Sequence, residues 1–169
     1  DERALCFEVN EKATDYLARE CKRHGIKMLY VSTDYVFEGN GDTPFLPNDK
    51  KRPLGVYGLS KLKGEEAIKN QIDRFFIVRT SWVFGEKNTN FIATMLRLAE
   101  TRSEINVVCD QVGSPTYSKD LAVLLCDMIE TEKYGIYHAT NEGFCSWAEL
   151  ARFVFEKANK SVTVNSVTS

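Results

Sequence analysis

The sequence has 169 residues, a net charge of −2, 43% hydrophobic residues and 27% charged residues, which is typical of one ordinary globular domain with a real core. The near balance of charges gives no electrostatic case for binding nucleic acid or an anionic membrane. No apolar run reaches the length of about 18 residues that a membrane span needs, and the acidic, amphipathic start DERALCFEVNEK is unlike a signal peptide.

Apolar periodicity and helix-capping residues predict helices that alternate with short buried strands. Gly25 marks the end of the first helix, Ser118 is a predicted N-cap, and Ser146 with Glu149 forms an S-x-x-E capping box. Such alternation predicts an α/β protein with a largely parallel sheet. The predicted elements are helix 4–23, strand 28–31, helix 57–69, strand 75–79, helix 90–101, strand 105–108, helix 119–129, strand 135–139, helix 147–158 and strand 162–167.

Two long connections, 32–56 and 81–89, each follow a predicted buried strand. Loops of this length in a compact domain are usually functional or mobile. Ligands of open α/β sheets bind outside the carboxyl ends of the strands. We therefore expect the two loops to line one crevice, with the helix at residue 57 beginning where the first loop ends.

Cysteine and histidine content limits the metal and redox chemistry. The five cysteines are an odd number without a C-x-x-C pair, and the only histidines are His24 and His138. We expect neither a disulfide framework nor a zinc site, and we assign no metal. A reducing cytoplasm fits these cysteines best.

Tyr57 and Lys61 are four positions apart in the sequence, which places them one turn apart on one face of a helix. This spacing alone is weak evidence for a catalytic pair. Ser32 and Thr33 taken alone are typical turn residues, and Trp82 taken alone is typical of a core or rim aromatic residue.

Considered together, the segments resemble the dTDP-4-dehydrorhamnose reductase family of the extended short-chain dehydrogenase/reductase superfamily. The resemblance implies a partial Rossmann-like doubly wound parallel sheet with a small C-terminal substrate-binding region. Residues 1–109 would be the C-terminal part of the dinucleotide-binding domain and 110–169 mainly substrate-binding, with interleaved segments. The matching segments are FEVNEKATDYLA with Asn10, VSTDYVFEGNG, RPLGVYGLSKLKGEEA, RTSWVFG, NFIATML, DQVGSPTYSKDLA and GIYHATNEGFCSWAELA.

The resemblance implies that Thr33, Tyr57 and Lys61 are catalytic. Tyr57 would donate a proton to a carbonyl oxygen, Thr33 would hydrogen-bond the same oxygen, and Lys61 would tune Tyr57 and hold the nicotinamide ribose. Lowering a phenol pKa from ~10 to ~7 requires roughly 4 kcal/mol, which a nearby cation and the positive field of the cofactor can supply.

The family also implies binding residues for NADPH or NADH and for a nucleotide-sugar. The cofactor would contact Tyr57, Lys61, Ser32 and Asn10, although Asn10 has an equally good structural role near a helix start. Residues 90–95 and 110–116 would also meet the nucleotide-sugar, or else serve only as a helix face and a turn. The substrate contacts implied by the resemblance are Thr33, Asp34, Tyr35, Tyr57 and Trp82, whose indole would offer the sugar a flat apolar face.

The expected reaction is reduction of the C4 keto group of dTDP-4-dehydro-L-rhamnose. The alternatives are a related nucleotide-sugar reductase or epimerase, and a non-catalytic regulatory subunit of the methionine adenosyltransferase β type. The family also implies a homodimer as one assembly state.

The sequence lacks the G-x-x-G-x-x-G turn that receives a dinucleotide pyrophosphate. We therefore expect it to be the interior portion of a longer protein that would neither fold well nor bind a dinucleotide by itself. The choice between NADH and NADPH would be made upstream of this sequence.

Overall fold

The computed structural model describes residues 2–41, 43–87 and 89–169, so Asp42 and Asn88, in the two predicted loops, lie outside the described residues. The described α-helices are α1 (Glu2–Phe7), α2 (Ala13–His24), α3 (Val56–Gln71), α4 (Phe91–Leu98), α5 (Ser118–Ile129) and α6 (Trp147–Lys157). The described strands are β1 (Met28–Thr33), β2 (Phe75–Thr80), β3 (Val83–Phe84), β4 (Glu104–Val108), β5 (Val112–Gly113), β6 (Thr116–Tyr117), β7 (Gly135–His138), β8 (Cys145–Ser146) and β9 (Thr163–Val167).

The chain forms two compact units. The first contains the residues up to Thr80 together with Ala122–Ala139, and the second contains Ser81–Leu121 and Thr140–Ser169. Residues 81–109 belong to the second unit, whereas the sequence predicts that they lie in the dinucleotide-binding part. The binding roles assigned to the two parts of the chain stay predictions.

A three-stranded parallel sheet in the order β1-β2-β7 is the centre of the first unit. Helices α2 and α3 pack beside it, and their apolar faces bury Ala18, Ile68 and Ile72 against Ile77 of β2. The register pairs Thr33, the last residue of β1, with Thr80, the last residue of β2. The carboxyl ends of these strands therefore lie side by side at one edge of the sheet, where α/β proteins bind ligands.

The second unit is built on three two-stranded sheets. Strands β4 and β9 pair in parallel and pack against α4 and α6. Short strands β3 and β6 pair in parallel, whereas β5 and β8 are antiparallel. The predicted capping box at Ser146 and Glu149 is confirmed at the start of α6. The buried core of the second unit contains Met95, Ile105, Val107, Ala148, Ala151, Val154, Phe155 and Val164.

The predicted α/β architecture with parallel strands is confirmed, but some element bounds differ. A π-helical turn, Glu8–Lys12, interrupts the predicted continuous helix 4–23. Helix α4 ends at Leu98 rather than near residue 101, and Ser118 is the first residue of α5 rather than the residue before it. The two-residue strands β3, β5, β6 and β8 are too short to produce a periodic pattern, which explains why they were not predicted.

Among the described residues, no helix combines the length and the apolar character that crossing a membrane requires.

Candidate active site

Tyr57 and Lys61 lie in the first turns of α3, on the same face of the helix. Tyr57 is half-exposed. The Lys61 Nζ donates a 2.7 Å hydrogen bond to the Val31 carbonyl oxygen and lies 3.9 Å from the centroid of the Tyr30 ring. Both partners belong to β1, so Lys61 fixes this face of α3 against the neighbouring strand.

Thr33 ends β1 and is buried. Its Oγ1 accepts a 3.2 Å hydrogen bond from the Tyr35 backbone N–H and lies 3.1 Å from Asp34 Oδ1, to which it donates. The exposed Tyr35 ring meets the Tyr57 ring edge-on, with 6.0 Å between centroids. The predicted site residues Thr33, Asp34, Tyr35 and Tyr57 are therefore close together within the first unit.

Gly58 permits this close approach. A Cβ added at Gly58 would lie 2.1 Å from the Tyr35 carbonyl oxygen and 3.1 Å from the Pro53 Cβ. Backbone atoms cannot give way cheaply, so only glycine allows the start of α3 to contact the segment after β1. The residue type at position 58, directly after Tyr57, is thus dictated by packing.

Partial burial raises the pKa of the Tyr57 phenol above its ordinary value, and a hydrogen bond with Thr33 acts in the opposite direction. The negative charges of Asp34, Cys6 and Tyr35 also raise it. The protein groups therefore do not produce the downward pKa shift expected from the sequence. They keep the phenol protonated at neutral pH, which is the form that a proton donor needs.

Burial lowers the pKa of Lys61 from 10.5 to about 8, while the charges of Glu65 and Cys6 raise it. Burial penalises the charged form of both groups, and for this reason the two pKa values move in opposite directions. Lys61 is still mostly protonated at neutral pH, and its ammonium can act as a donor and as a counter-charge.

Asn10 lies in the π-helical turn between α1 and α2. Its Nδ2 donates to the Ser60 Oγ of α3 at 3.0 Å, and its carbonyl oxygen accepts from the Tyr30 hydroxyl at 3.3 Å. π-Helical turns are frequent at functional sites. These contacts place Asn10 beside α3 and β1, and its contact with a cofactor stays a prediction.

The Ser32 hydroxyl is buried and donates a 2.6 Å hydrogen bond to Glu65. The same carboxylate forms an ion pair with Arg79 of β2. Because its only hydroxyl proton is committed to Glu65, Ser32 gains no support here as a cofactor contact. Sequence reasoning missed Glu65 and Arg79, although Glu65 lies four residues after Lys61 and so on the same helix face.

Trp82 belongs to the second unit. Its φ of 46° is in the left-handed region, which a bulky residue rarely adopts. The indole stacks on Trp147, with 3.4 Å between centroids and 11° between planes. Its edge lies so close to Gly113 that a Cβ there would be 2.7 Å from Trp82 Cε2. The Trp147 ring therefore covers one of the two faces of the indole, and the contact of Trp82 with a sugar stays a prediction.

The Thr80 hydroxyl is buried and has no hydrogen-bond partner among the described residues. It ends β2 directly beside Thr33. A buried polar group of this kind is normally satisfied by a water or a ligand. The Thr80 hydroxyl therefore marks a buried polar position at the end of β2 that a water or a ligand would satisfy.

A Tyr–Lys pair on a helix, beside a threonine at the carboxyl end of a parallel strand, defines a Rossmann-like α/β protein of the short-chain dehydrogenase/reductase class. The chain belongs to the RmlD substrate binding domain family, whose sequence model matches residues 1–169. The family predicted from the sequence is thereby confirmed.

Two curated relatives have the same percentage of sequence identity to this chain. The chain is 44% identical over 158 residues to dTDP-4-dehydrorhamnose reductase of Aggregatibacter actinomycetemcomitans, covering 90% of this chain and 54% of that protein. It is 44% identical over 163 residues to the spore coat polysaccharide biosynthesis protein SpsK of Bacillus subtilis, covering 96% and 57%. The chain thus spans about half the length of the curated relatives it matches.

The fold is similar to that of solved reductases. A crystal structure of dTDP-4-dehydrorhamnose reductase from Bacillus anthracis, in complex with NADP, matches with a TM-score of 0.96 and 42% identity over 99% of this chain and 60% of that one. The orthologue from Clostridium acetobutylicum matches with a TM-score of 0.96 and 36% identity over the same shares.

Proposed function

We propose that this chain supplies the proton-donating part of an NAD(P)H-dependent reductase that converts dTDP-4-dehydro-L-rhamnose to dTDP-L-rhamnose. The observation that carries the proposal is the position of Tyr57 and Lys61 on α3 beside Thr33 at the end of β1. Relatives named dTDP-4-dehydrorhamnose reductase and a neighbour solved with NADP support the substrate and the cofactor. The free cysteines fit an enzyme that works in the cytoplasm.

The protein groups act on the oxygen of the substrate carbonyl. The Thr33 hydroxyl, which donates to Asp34 Oδ1 in the structure, turns to donate to this oxygen when substrate binds. Tyr57 Oη transfers its proton to the same oxygen as negative charge develops. A reduced nicotinamide, when bound, would supply the hydride that the carbonyl carbon receives. Lys61 Nζ holds a positive charge near the phenol and donates to the ribose hydroxyls.

The residues present fit the nicotinamide end of the cofactor. Lys61 and Tyr57 offer donors for the ribose. The Thr80 hydroxyl, which has no hydrogen-bond partner in the part of the chain that the structure describes, lies at the carboxyl end of β2. The pyrophosphate would require a Gly-rich turn, which this sequence does not contain.

In the second unit, we propose that Trp82 contacts the deoxysugar. Its left-handed backbone is strained, and strained backbone is concentrated at binding and catalytic sites. Trp147 covers one face of the indole, and Gly113 lies against its Cε2, Cζ2 and Nε1 atoms, so a sugar would meet the part of the ring that these two residues leave uncovered. In the first unit, Asp34 and Tyr35 are the corresponding sugar contacts, because both side chains are exposed next to Thr33.

The test is a turnover assay of the full-length protein with NADPH and dTDP-4-dehydro-L-rhamnose, which follows the loss of absorbance of the reduced cofactor. Tyr57→Phe keeps the ring and removes the proton donor, so turnover should fall by at least ~10²-fold while the circular dichroism spectrum is retained. A Phe variant with ordinary turnover would show that Tyr57 is not the acid.

The same assay separates the alternatives. Turnover only with another 4-keto-6-deoxysugar nucleotide would identify a related reductase or epimerase. A folded protein without turnover on any such substrate would indicate a regulatory subunit. NADH in place of NADPH measures cofactor preference.

A further inference from the structure

Glu65 is a buried carboxylate on the helix that carries Tyr57 and Lys61. Its Oε1 accepts hydrogen bonds from Ser32 Oγ at 2.6 Å and from Arg79 Nε at 2.8 Å, and its Oε2 accepts from Arg79 Nη2 at 2.6 Å. The Arg79 and Glu65 side chains are only 1% and 2% exposed. These three residues, Ser32, Glu65 and Arg79, form the Glu65 network.

The Glu65 network connects the catalytic face of α3 to the sheet. Tyr57, Lys61 and Glu65 follow one another at intervals of four residues and so share one helix face. Lys61 bonds to the carbonyl of Val31, and Glu65 bonds to the next residue along β1, Ser32. Two adjacent residues of β1 therefore hold this face immediately before the strand ends at Thr33.

Arg79 extends the Glu65 network to two further parts of the first unit. It lies in β2, and its Nη1 donates a 2.9 Å hydrogen bond to the Pro47 carbonyl oxygen in the loop that follows β1. Its guanidinium carbon lies 5.1 Å from the centroid of the Phe37 ring. The position of α3, the end of β1 and the long loop thus depend on one buried ion pair.

Stability alone does not account for a buried ion pair, because well-packed apolar residues of similar volume often stabilise a protein as much or more. A carboxylate provides something that an apolar residue cannot, namely a negative charge near Lys61. Glu65 raises the pKa of Lys61 against the effect of burial. The other groups that face the Lys61 ammonium are Tyr30 of β1 and Cys6 of α1, while Arg79 faces Glu65 from β2.

We propose that Glu65, held by Ser32 and Arg79, is a positioning residue that fixes the Tyr57–Lys61 face of α3 against β1. The kinetic consequence rests on the proposed function, whereas the effect on the surroundings of Lys61 can be measured without it. Two measurements therefore test the two parts separately.

The first measurement needs no substrate. The full-length protein is treated with an amine-acylating reagent over a range of pH, and the extent of acylation at Lys61 is read by peptide mass spectrometry. Glu65→Gln should move the midpoint of Lys61 acylation to lower pH than in the wild type. Glu66→Gln is the matched control, because Glu66 is the next residue on α3 and pairs with Lys63 at the surface. It should leave the Lys61 midpoint unchanged.

The second measurement is the pH profile of kcat. Glu65→Gln should reduce kcat by roughly 10- to 100-fold, since small displacements of catalytic groups have effects of this size. It should also shift the basic limb of the profile to lower pH, with a smaller change in KM. Loss of stability without repositioning would leave the pH profile of the folded fraction unchanged. Glu66→Gln should retain wild-type kinetics.

A folded Glu65→Gln protein with the wild-type acylation midpoint and pH profile would overturn the proposal. If this variant does not fold, the double variant Glu65→Gln/Arg79→Met replaces it, because it leaves no uncompensated buried charge. The same downward shift of the Lys61 midpoint is expected, and a wild-type midpoint overturns the proposal. A wild-type protein without reductase activity would contradict the proposed function and leave the acylation test intact.

Discussion

Replacing Gly58 with alanine should abolish most of the activity while changing only one methyl group. The new Cβ would lie 2.1 Å from the Tyr35 carbonyl oxygen and 2.9 Å from the Tyr35 carbonyl carbon, and real Cβ atoms essentially never approach closer than 3.0 Å. Removing this steric clash therefore requires α3 and the Tyr35 backbone to move apart by about 1 Å. Overpacking of this kind typically costs ~1–3 kcal/mol of stability.

The separation would move Tyr57 away from Thr33, because these residues lie on the two segments that are forced apart. A displacement of about 1 Å at a catalytic group can reduce turnover by ~10²-fold. We expect a decrease of that order in kcat for Gly58→Ala in the full-length protein. Turnover is measured with NADPH and the dTDP-keto-sugar, and folding is checked by thermal unfolding.

Gly55→Ala is the matched control on the same helix. Gly55 is the N-cap residue of α3 with a φ of −126°, and nothing lies within 4 Å of its added Cβ. Its replacement should cost at most about 1 kcal/mol of stability, because alanine is a poorer N-cap than glycine, and should leave kcat within about twofold of the wild type. Wild-type turnover in Gly58→Ala, or an equal loss in both variants, would refute the steric argument.

Three further predictions concern other parts of the chain. Trp147→Leu removes the ring stacked on Trp82, so the exciton band of the paired indoles should disappear from the circular dichroism spectrum and KM for the nucleotide-sugar should rise. An unchanged spectrum would show that the rings do not stack. The pKa of Lys61 is about 8 in the folded protein against an ordinary 10.5, so the unfolded chain binds more protons between these pH values. The Lys61 contribution to stability should therefore increase as pH rises from 8 to 10.5, and urea unfolding of Lys61→Met should lack this increase. Ser146→Ala removes the capping box of α6 and should lower the unfolding free energy by about 1 kcal/mol in denaturant titrations. A decrease in the unfolding free energy of less than a few tenths of a kcal/mol would contradict the assignment of Ser146 as the cap.

Features that depend on neighbouring residues were predictable from the sequence. The Ser146–Glu149 capping box, the stop at Gly25 and the apolar strand at Phe75–Thr80 are all defined within a few residues, and the structure has all three. The π-helical turn Glu8–Lys12 was not predictable, since its apolar spacing is compatible with a continuous α-helix. The Asn10 and Tyr30 contact at this turn joins segments that are distant in the sequence.

The residues of the candidate site also divide into those that the sequence predicts and those that it does not. Thr33, Tyr57 and Lys61 lie in recognisable motifs, so they could be named without coordinates. The residues that support them become visible only in three dimensions. Arg79 and Glu65 are 14 residues apart and on different elements. The ring of Trp147, at the start of α6, stacks on Trp82 in the bend between β2 and β3. The Thr80 hydroxyl is notable only because it is buried without a partner among the described residues.

The opposite pKa shifts of Tyr57 and Lys61 determine which group titrates near neutral pH. Burial raises the pKa of the phenol and lowers that of the ammonium to about 8, so both groups hold their protons at neutral pH. In the proposed reaction, Tyr57 gives its proton to the substrate, and the resulting phenolate is a stronger base than the neutral amine of Lys61. Reprotonation of Tyr57 at the expense of Lys61 is therefore favourable. A basic limb near pH 8 in the kcat profile should accordingly be assigned to Lys61 and not to Tyr57, because the phenol has no reason to ionise there.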